Sequence, residues 1–371
     1  MRKFYFFITF LILPFFIGCQ SPDSALKKNK SSEYLGLEYK SDWQTQKDDL
    51  VFMAFNVENL FDNQHDKGKS DETYLPLPKK QSKAHKKKCE KMAQKKWRHQ
   101  CLAWDWSDKV VEHKLSVVAE SIRQIKNGLG PDILVLEEVE NKGILKRLNQ
   151  KGLHYPTVVL IEGADKRGID VALMSRLPLV GSASLHPIPF KGIEKAKVED
   201  TRGILQATLK LPNGEKLTVF GVHFPAPFHP TMMREQAFEH LNRLKSRLPK
   251  DQLVMAAGDF NVPKREDEKE NIVDRQTKEM WIVGHKVMCQ TCPGTTYYEP
   301  YDSWSFLDMI LWSPVLENKE KGWVVLRDSF RMANAYKEQV SKTGGPNSYE
   351  METLSGVSDH WPLAVDLHLK K

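Results

Sequence analysis

The sequence predicts an α/β fold in which two mainly antiparallel sheets pack together and helices cover them outside. Short apolar runs recur from Leu50 to Leu369, and several of them end abruptly in a polar residue. Residues 203–223 read as a hairpin: Asn213-Gly214 is the turn, and the arms alternate apolar with polar. Residues 111–125 and 231–248 carry apolar side chains at helical spacing.

The elements follow in order. Residues 50–55 form an apolar strand leading into Asn56-Val57-Glu58-Asn59-Leu60-Phe61-Asp62, and residues 63–108 are a polar, lysine-rich insertion. A helix follows, with Val111, Leu115, Val118, Ile122 and Ile125 on one face and Gly128, Gly130 and Pro131 as its stop. Ile133-Leu134-Val135-Leu136 is wholly apolar, as expected of a strand buried on both faces. It ends at Glu137-Glu138-Val139-Glu140-Asn141, and a short helix through Leu145 and Leu148 comes next. Residues 155–161 and 169–174 are strands flanking Glu162 and the Gly-bounded turn that holds Arg167. The hairpin ends at Val222-His223-Phe224. The helix of 231–248 presents Met233, Ala237, Leu241, Leu244 and Leu248 on one side. The run 253–257 stops at Gly258-Asp259-Phe260-Asn261. Strands at 305–311, 323–326 and 362–369 complete the chain, the last preceded by Ser358-Asp359-His360.

Outside this body, the first eighteen residues read as an export signal: Arg2 and Lys3, then an uncharged apolar stretch too short to cross a bilayer. Phe16-Ile17-Gly18-Cys19 resembles a bacterial lipobox, with Phe16 where leucine is usual. The resemblance implies a lipid on Cys19 and, with Gln20-Ser21 following, an outer-membrane location in the cell envelope; an ordinary signal peptide would give a secreted protein. Residues 19–48 read as a polar tether, and residues 49–371 as one domain, expected to be monomeric.

The formal net charge is +7, or +5 without Arg2 and Lys3. Residues 79–98 hold ten Lys or Arg against one acid, Glu90, a composition that fits either a solvated loop or a surface for phosphate backbone or anionic lipid. In an exported chain Cys89, Cys101, Cys289 and Cys292 are expected to form disulfides, most simply Cys89–Cys101 and Cys289–Cys292. The alternative is a four-thiolate zinc site.

The polar strand ends carry the chemistry. They are Asn56 with Glu58, Glu138, His223, Asp259 with Asn261, Asp308, and Asp359 with His360. Each alone has a plain explanation, such as a solvated strand end, a satisfied core histidine or turn chemistry. Their recurrence points to one site where carboxylates, amides and histidines meet. A carboxylate beside an amide suits metal-assisted chemistry at phosphate, one group orienting water and the other donating to an oxyanion.

In the order Phe55-Asn56-Val57-Glu58-Asn59-Leu60, 132–139, Gly221-Val222-His223-Phe224, Gly258-Asp259-Phe260-Asn261-Val262, 305–311 and Ser358-Asp359-His360-Trp361-Pro362, these motifs resemble the endonuclease/exonuclease/phosphatase superfamily, the fold of DNase I and the apurinic endonucleases. The resemblance spans residues 50–369 and implies a four-layer α/β/β/α sandwich with the active site at one edge. It implies that Glu138 binds magnesium or manganese (calcium being the other candidate) with Asn56, Glu58 and Asp359 nearby, an oxygen set suited to a hard cation. By the same resemblance His360 pairs with Asp308 beside the scissile phosphate, Asp259 orients or deprotonates water, and Asn56 and Asn261 donate to phosphate oxygens. His223 is expected to act as a second acid with Glu162 as its partner, and Arg167, in its Gly-bounded turn, is expected either to bind phosphate bidentately or to form a surface salt bridge. Glu137 stands where many members have glutamine.

The expected substrate is nucleic acid, DNA or RNA, with membrane contact through the lipid. Phospholipids, as in the similar bacterial sphingomyelinases, and inositol or sugar phosphates are the alternatives. No exposed aromatic hairpin of the membrane-inserting kind is evident in the sequence.

Overall fold

Burial alternates along the strands, and this alternation sorts the side chains into three cores and builds the layers. In the computed structural model, which describes residues 45–289 and 292–371, the described chain lies within one compact unit, Tyr39–Lys371. The leader, Cys19 and residues 19–44 of the tether lie outside the described residues. No helix among the described residues is long and apolar enough to cross a membrane.

The first sheet contains β1 (Leu50–Leu60), β2 (Ile133–Val139), β3 (Thr157–Leu160), β4 (Asp170–Ser175), β13 (Gly322–Met332) and β14 (Leu363–Lys370), in the order β13-β14-β1-β2-β4-β3. The second contains β5 (Ser184–His186), β6 (Ile204–Lys210), β7 (Lys216–His223), β8 (Leu253–Asp259), β9 (Ile282–Val283) and β12 (Asp308–Trp312), in the order β5-β6-β7-β8-β12-β9. Both sheets are mixed: β1 and β2 run parallel, as do β7 and β8, and the other pairings are antiparallel. A separate hairpin joins β10 (Thr296–Tyr298) to β11 (Ser303–Ser305).

Phe52, Ala54, Ile133 and Val135 of the first sheet meet Val219, Met255, Ala257 and Ile310 of the second in the central core. Their strand neighbours Val51, Met53, Phe55, Leu134 and Leu136 point the other way, under helices α3 (Asp108–Arg123) and α4 (Lys142–Asn149). On the far side Phe220, Val222, Val254 and Ala256 pack beneath α5 (Thr231–Ser246). The result is the expected helix–sheet–sheet–helix order. Gly221 is required at the inter-sheet contact, because a Cβ there would lie 2.7 Å from Val171 Cγ1.

Several expectations are corrected. The insertion at 63–108 is not a loop: it contains helices α1 (Lys83–Glu90) and α2 (Lys95–Ala103), joined by the Cys89–Cys101 disulfide. Closing a 12-residue separation restricts the unfolded chain by about 3 kcal/mol, which helps order a segment with little core of its own. Cys289 and Cys292 are also paired, so all four sulfurs are engaged and the thiolate zinc alternative falls away. The strand expected at 305–311 is two pieces: β11 ends at Ser305, and Asp308 is the first residue of β12 rather than an interruption within a strand.

Candidate active site

Strand parity builds the site. The inward series of β1 runs Phe52, Ala54, Asn56; that of β7 runs Val219, Gly221, His223; that of β8 runs Met255, Ala257, Asp259; and β12 starts its own with Asp308 before Ile310 and Trp312. Each series is apolar until its last position at one edge of the sandwich. The parallel pairing of β7 with β8 and the antiparallel pairing of β8 with β12 bring His223, Asp259 and Asp308 level with one another. Asn56 Nδ2 then donates to Asp259 Oδ2 at 3.2 Å, from one sheet to the other.

Parity alone would send Glu138 outward, with Leu134 and Leu136. It has φ 64°, a conformation rare for a side chain other than glycine, and β2 changes register there. The kink leaves Glu138 at the site: Oε2 accepts the Asn59 N–H at 2.9 Å, and Oε1 lies 4.0 Å from His223 Nε2. Burial disfavours its charge, but Arg167, Arg202 and His360 outweigh that and hold its carboxyl below the ordinary value.

His360 Nδ1 is 2.7 Å from Asp308 Oδ2, and both residues are buried. Burial pulls the imidazole down, yet Asp308 and Asp359 win and keep it well above the usual histidine value. Asp259 is pushed up to about 8 by burial and held back by His360, while Asp308 adds to the rise. Its Oδ1 accepts the Asn261 N–H at 2.8 Å, and Asn261 Nδ2 donates to the Phe224 carbonyl at 3.1 Å, so the two residues of the strand-end motif brace each other. Asp359 is the more open member, with 57% of its side chain accessible and Oδ1 3.8 Å from His360 Nε2.

Other residues stand differently from expectation. His223 pairs with Asp259 (Nε2 to Oδ2, 3.5 Å), and its Nδ1 has no partner. Burial, with Arg202, His360 and Arg167, holds it well below the usual value, so it is neutral and not poised as an acid. Glu162, its expected partner, is exposed in an open cleft lined by Asp66, Lys67, Lys69, Asn141, Lys142 and Gly143. Glu58 does not present a free carboxylate: its oxygens accept from Ser348 Oγ and the Tyr349 N–H, and burial pushes its carboxyl up to about 8. It ties the loop preceding His360 to the end of β1. Arg167 is no surface ion pair, because it donates to Asn59 Oδ1 and Tyr74 and faces Glu138.

Sequence reasoning missed Arg202, Lys114 and the role of Glu137. Arg202 is buried and pairs with Asp165 at 3.2 Å, at the start of β6 and so at the same edge as the end of its antiparallel neighbour β7. Lys114 is fully buried in α3 and donates to the Val357 carbonyl at 2.6 Å. Its signal was a lysine on the apolar face between Val111 and Val118. Glu137 is buried on the inward series of β2, and neither carboxylate oxygen has a protein partner. Burial, Asp308 and Asp259 hold it well above the ordinary value, so it stays neutral. Gly258 has φ 132°, and a Cβ there would strike the Val222 carbonyl and Glu137 Oε1.

An exposed aromatic hairpin does exist, contrary to the sequence reading. The β10–β11 hairpin displays Tyr298 and Tyr301, 57% and 66% exposed. It is tied to the site: the Trp361 N–H donates to the Thr295 carbonyl, Thr295 Oγ1 accepts the Asp308 N–H, and Trp304 packs on Trp361 at 5.1 Å.

A model of the endonuclease/exonuclease/phosphatase family matches residues 99–369. The chain belongs to this family. Members of the endonuclease/exonuclease/phosphatase family are phosphodiester or phosphate hydrolases and generally depend on a divalent metal. The fold is similar to that of family structures at low identity. A humanized TDP2 from D. rerio carrying 14 mutations aligns at 12% identity and TM-score 0.54, over 87% of this chain and 100% of that one. D. rerio TDP2 complexed with a single-strand DNA product gives 15% and 0.54, over 86% and 99%. A mannosyl-6-phosphatase of Bacteroides thetaiotaomicron VPI-5482 gives 15% and 0.52, over 86% and 100%. No curated protein matches the sequence.

Proposed function

We propose that this protein is a divalent-metal-dependent phosphodiesterase that cleaves nucleic acid, exported and anchored in the cell envelope through lipid on Cys19. The observation that carries the phosphodiesterase reading is the buried His360–Asp308 pair, aligned with Asp259, Asn261 and Glu138 at one edge. The nucleic-acid reading draws support from the tyrosine hairpin bonded to that edge, since exposed aromatic faces stack on bases of any identity. The DNA product named for one TDP2 structure is consistent with it.

The donor set fits a hard cation. Glu138 stays ionised and keeps one oxygen free of protein hydrogen bonds, the open Asp359 offers further oxygens, and Asn56 Oδ1, which accepts the Glu58 N–H at 3.1 Å, has a second lone pair to offer. Glu58 is committed to the loop and is left out of this set. When bound, magnesium or manganese would supply charge neutralisation at the phosphate and a hydroxide-like water at neutral pH.

The protein groups do the rest. Cationic His360 donates from Nε2 to a phosphate oxygen, its orientation set by Asp308 at Nδ1. Asp259, whose carboxyl burial pushes up to about 8, takes the proton from the attacking water in its ionised form. Asn56 and Asn261 donate one amide hydrogen to Asp259 and to the Phe224 carbonyl, and the second hydrogen of each would serve the growing oxyanion charge, to which Arg167 and Arg202 add positive field. Neutral His223 holds Asp259 in place.

The exposed tyrosine tip also suits a membrane interface, which favours phospholipid phosphodiester as the second reading. The test is the full chain in neutral detergent with magnesium, offered plasmid DNA, RNA, sphingomyelin and mannose 6-phosphate in parallel. Nicking of plasmid that EDTA stops is the expected result. Hydrolysis of lipid or sugar phosphate with plasmid and RNA left intact would overturn the nucleic-acid reading.

A further inference from the structure

The lysine-rich insertion has a built surface that the hydrolytic site does not use. Helix α1 turns His85 and Cys89 inward, where His85 Nε2 meets the Cys101 carbonyl at 3.1 Å and Cys89 bonds Cys101. Its other face is cationic. Lys83, Lys87 and Lys91, the last at the helix C-cap, recur every fourth residue, about 6 Å apart along the axis. All three are exposed, and Lys86, Lys95 and Lys96 flank them. None of these lysines takes part in an ion pair among the described residues. The others in the run are occupied: Lys79 and Arg98 bond nearby carbonyls, Lys80 is buried on the Thr73 carbonyl, and Lys88 pairs with Glu72 at 2.5 Å. The surface is thus a row of unneutralised charge on a helix pair clamped by a disulfide.

Its attachment gives it direction. Glu72, which holds Lys88, and Tyr74 belong to the same helical turn, and Tyr74 hydrogen-bonds Arg167 at the phosphate site. Tyr74 also stacks on Phe61 at 3.9 Å, just beyond β1. The basic helices therefore rest on the segment that supports the catalytic edge. We propose that α1 and α2 form an accessory clamp that holds the phosphate backbone of single-stranded nucleic acid outside the active site, with Lys83, Lys87 and Lys91 as its contacts.

This rests on the nucleic-acid reading above. Charge complementarity selects a polyanion, and Trp97, 43% exposed on α2, adds a face on which a base can stack. A membrane is the poorer fit. Interfacial helices need a broad apolar face, and this pair exposes only Trp97 and Leu102 among its large apolar side chains.

The test compares the full chain with Lys83→Gln/Lys87→Gln/Lys91→Gln and with the matching triple Arg variant. A labelled single-stranded oligonucleotide is titrated in EDTA, so that binding is read without turnover, over a range of salt. Loss of the three contacts should flatten the log Kd against log salt slope by about 2 and raise Kd about tenfold or more at low salt. The Arg variant should bind as wild type, and turnover of bis-p-nitrophenyl phosphate, too small to reach the helices, should not change in either. An unchanged slope in the Gln variant, or equal loss in the Arg variant, overturns the proposal. So does charge-dependent binding to phosphatidylcholine–phosphatidylserine vesicles without any to the oligonucleotide. Loss of oligonucleotide binding as expected, in a protein that cleaves only lipid or sugar phosphate, supports the clamp while removing the nuclease reading.

Discussion

Asn56 in β1 donates to Asp259 in β8 across the gap between the two sheets, at 3.2 Å. This is a seam, because it fixes the spacing of the two sheets where their polar ends meet. Asn56→Ala should lower kcat about 100-fold, the scale of losing one oxyanion donor, with little change in KM. Asp259→Ala should remove turnover almost entirely while circular dichroism stays native. Wild-type kcat in a folded Asp259→Ala protein would falsify the site assignment.

Asp308 and His360 set the pH response. The imidazole is held well above its ordinary value, so the stability it contributes is complete below about pH 6.5 and is lost as pH rises through the folded value. In Asp308→Asn the main raising charge is gone and burial pulls the histidine down. The alkaline limb of kcat should move to lower pH, and NMR of the His360 ring should show the same displacement. A limb that stays in place would assign it to another group.

Glu138 offers a test independent of turnover. Magnesium should raise the Tm of the wild-type protein, by the equivalent of about 2.7 kcal/mol at a hundredfold excess over Kd, and EDTA should reverse this. Glu138→Gln keeps the shape and loses the charge. Its Tm should no longer respond to magnesium, and equal responses in both proteins would place the cation elsewhere.

Lys114 reaches from α3 to the Val357 carbonyl, next to Ser358, whose hydroxyl donates to the Asn56 carbonyl and accepts the His360 N–H. Lys114→Met keeps most of the volume but leaves the Val357 carbonyl without its buried donor. The expected loss in urea unfolding is about 2 kcal/mol. A loss under about 0.5 kcal/mol, the range of ordinary surface substitutions, would mean that the lysine does not hold this loop.

The strands and the three longer helices were legible because their apolar residues follow the periods that burial imposes. The seam residues were legible for the same reason: a polar residue ending an inward series has to meet other polar groups. Glu138 was legible as a polar strand end, but its role as a cation ligand came only from the family resemblance, since its positive φ defeats parity and leaves no mark in composition. Helices α1 and α2 were invisible because they bury little beyond His85, Cys89 and Cys101, too few positions for a 3.6-residue stripe. The pairing of His223 with Asp259 rather than Glu162 depends on which strands lie side by side, which residue order alone does not reveal.

The inward series of the strands also bear on how this chain can vary in length. Between β1 and α3 it carries dozens of extra residues, including a helical hairpin, without disturbing Asn56 or its seam. A single residue deleted inside β8 would be another matter. Every side chain beyond the deletion would change faces, sending Asp259 toward α5 and an apolar neighbour into the site. Related chains should therefore differ freely in the length of their loops and scarcely at all in the count of residues between a strand's first inward apolar position and its terminal polar one.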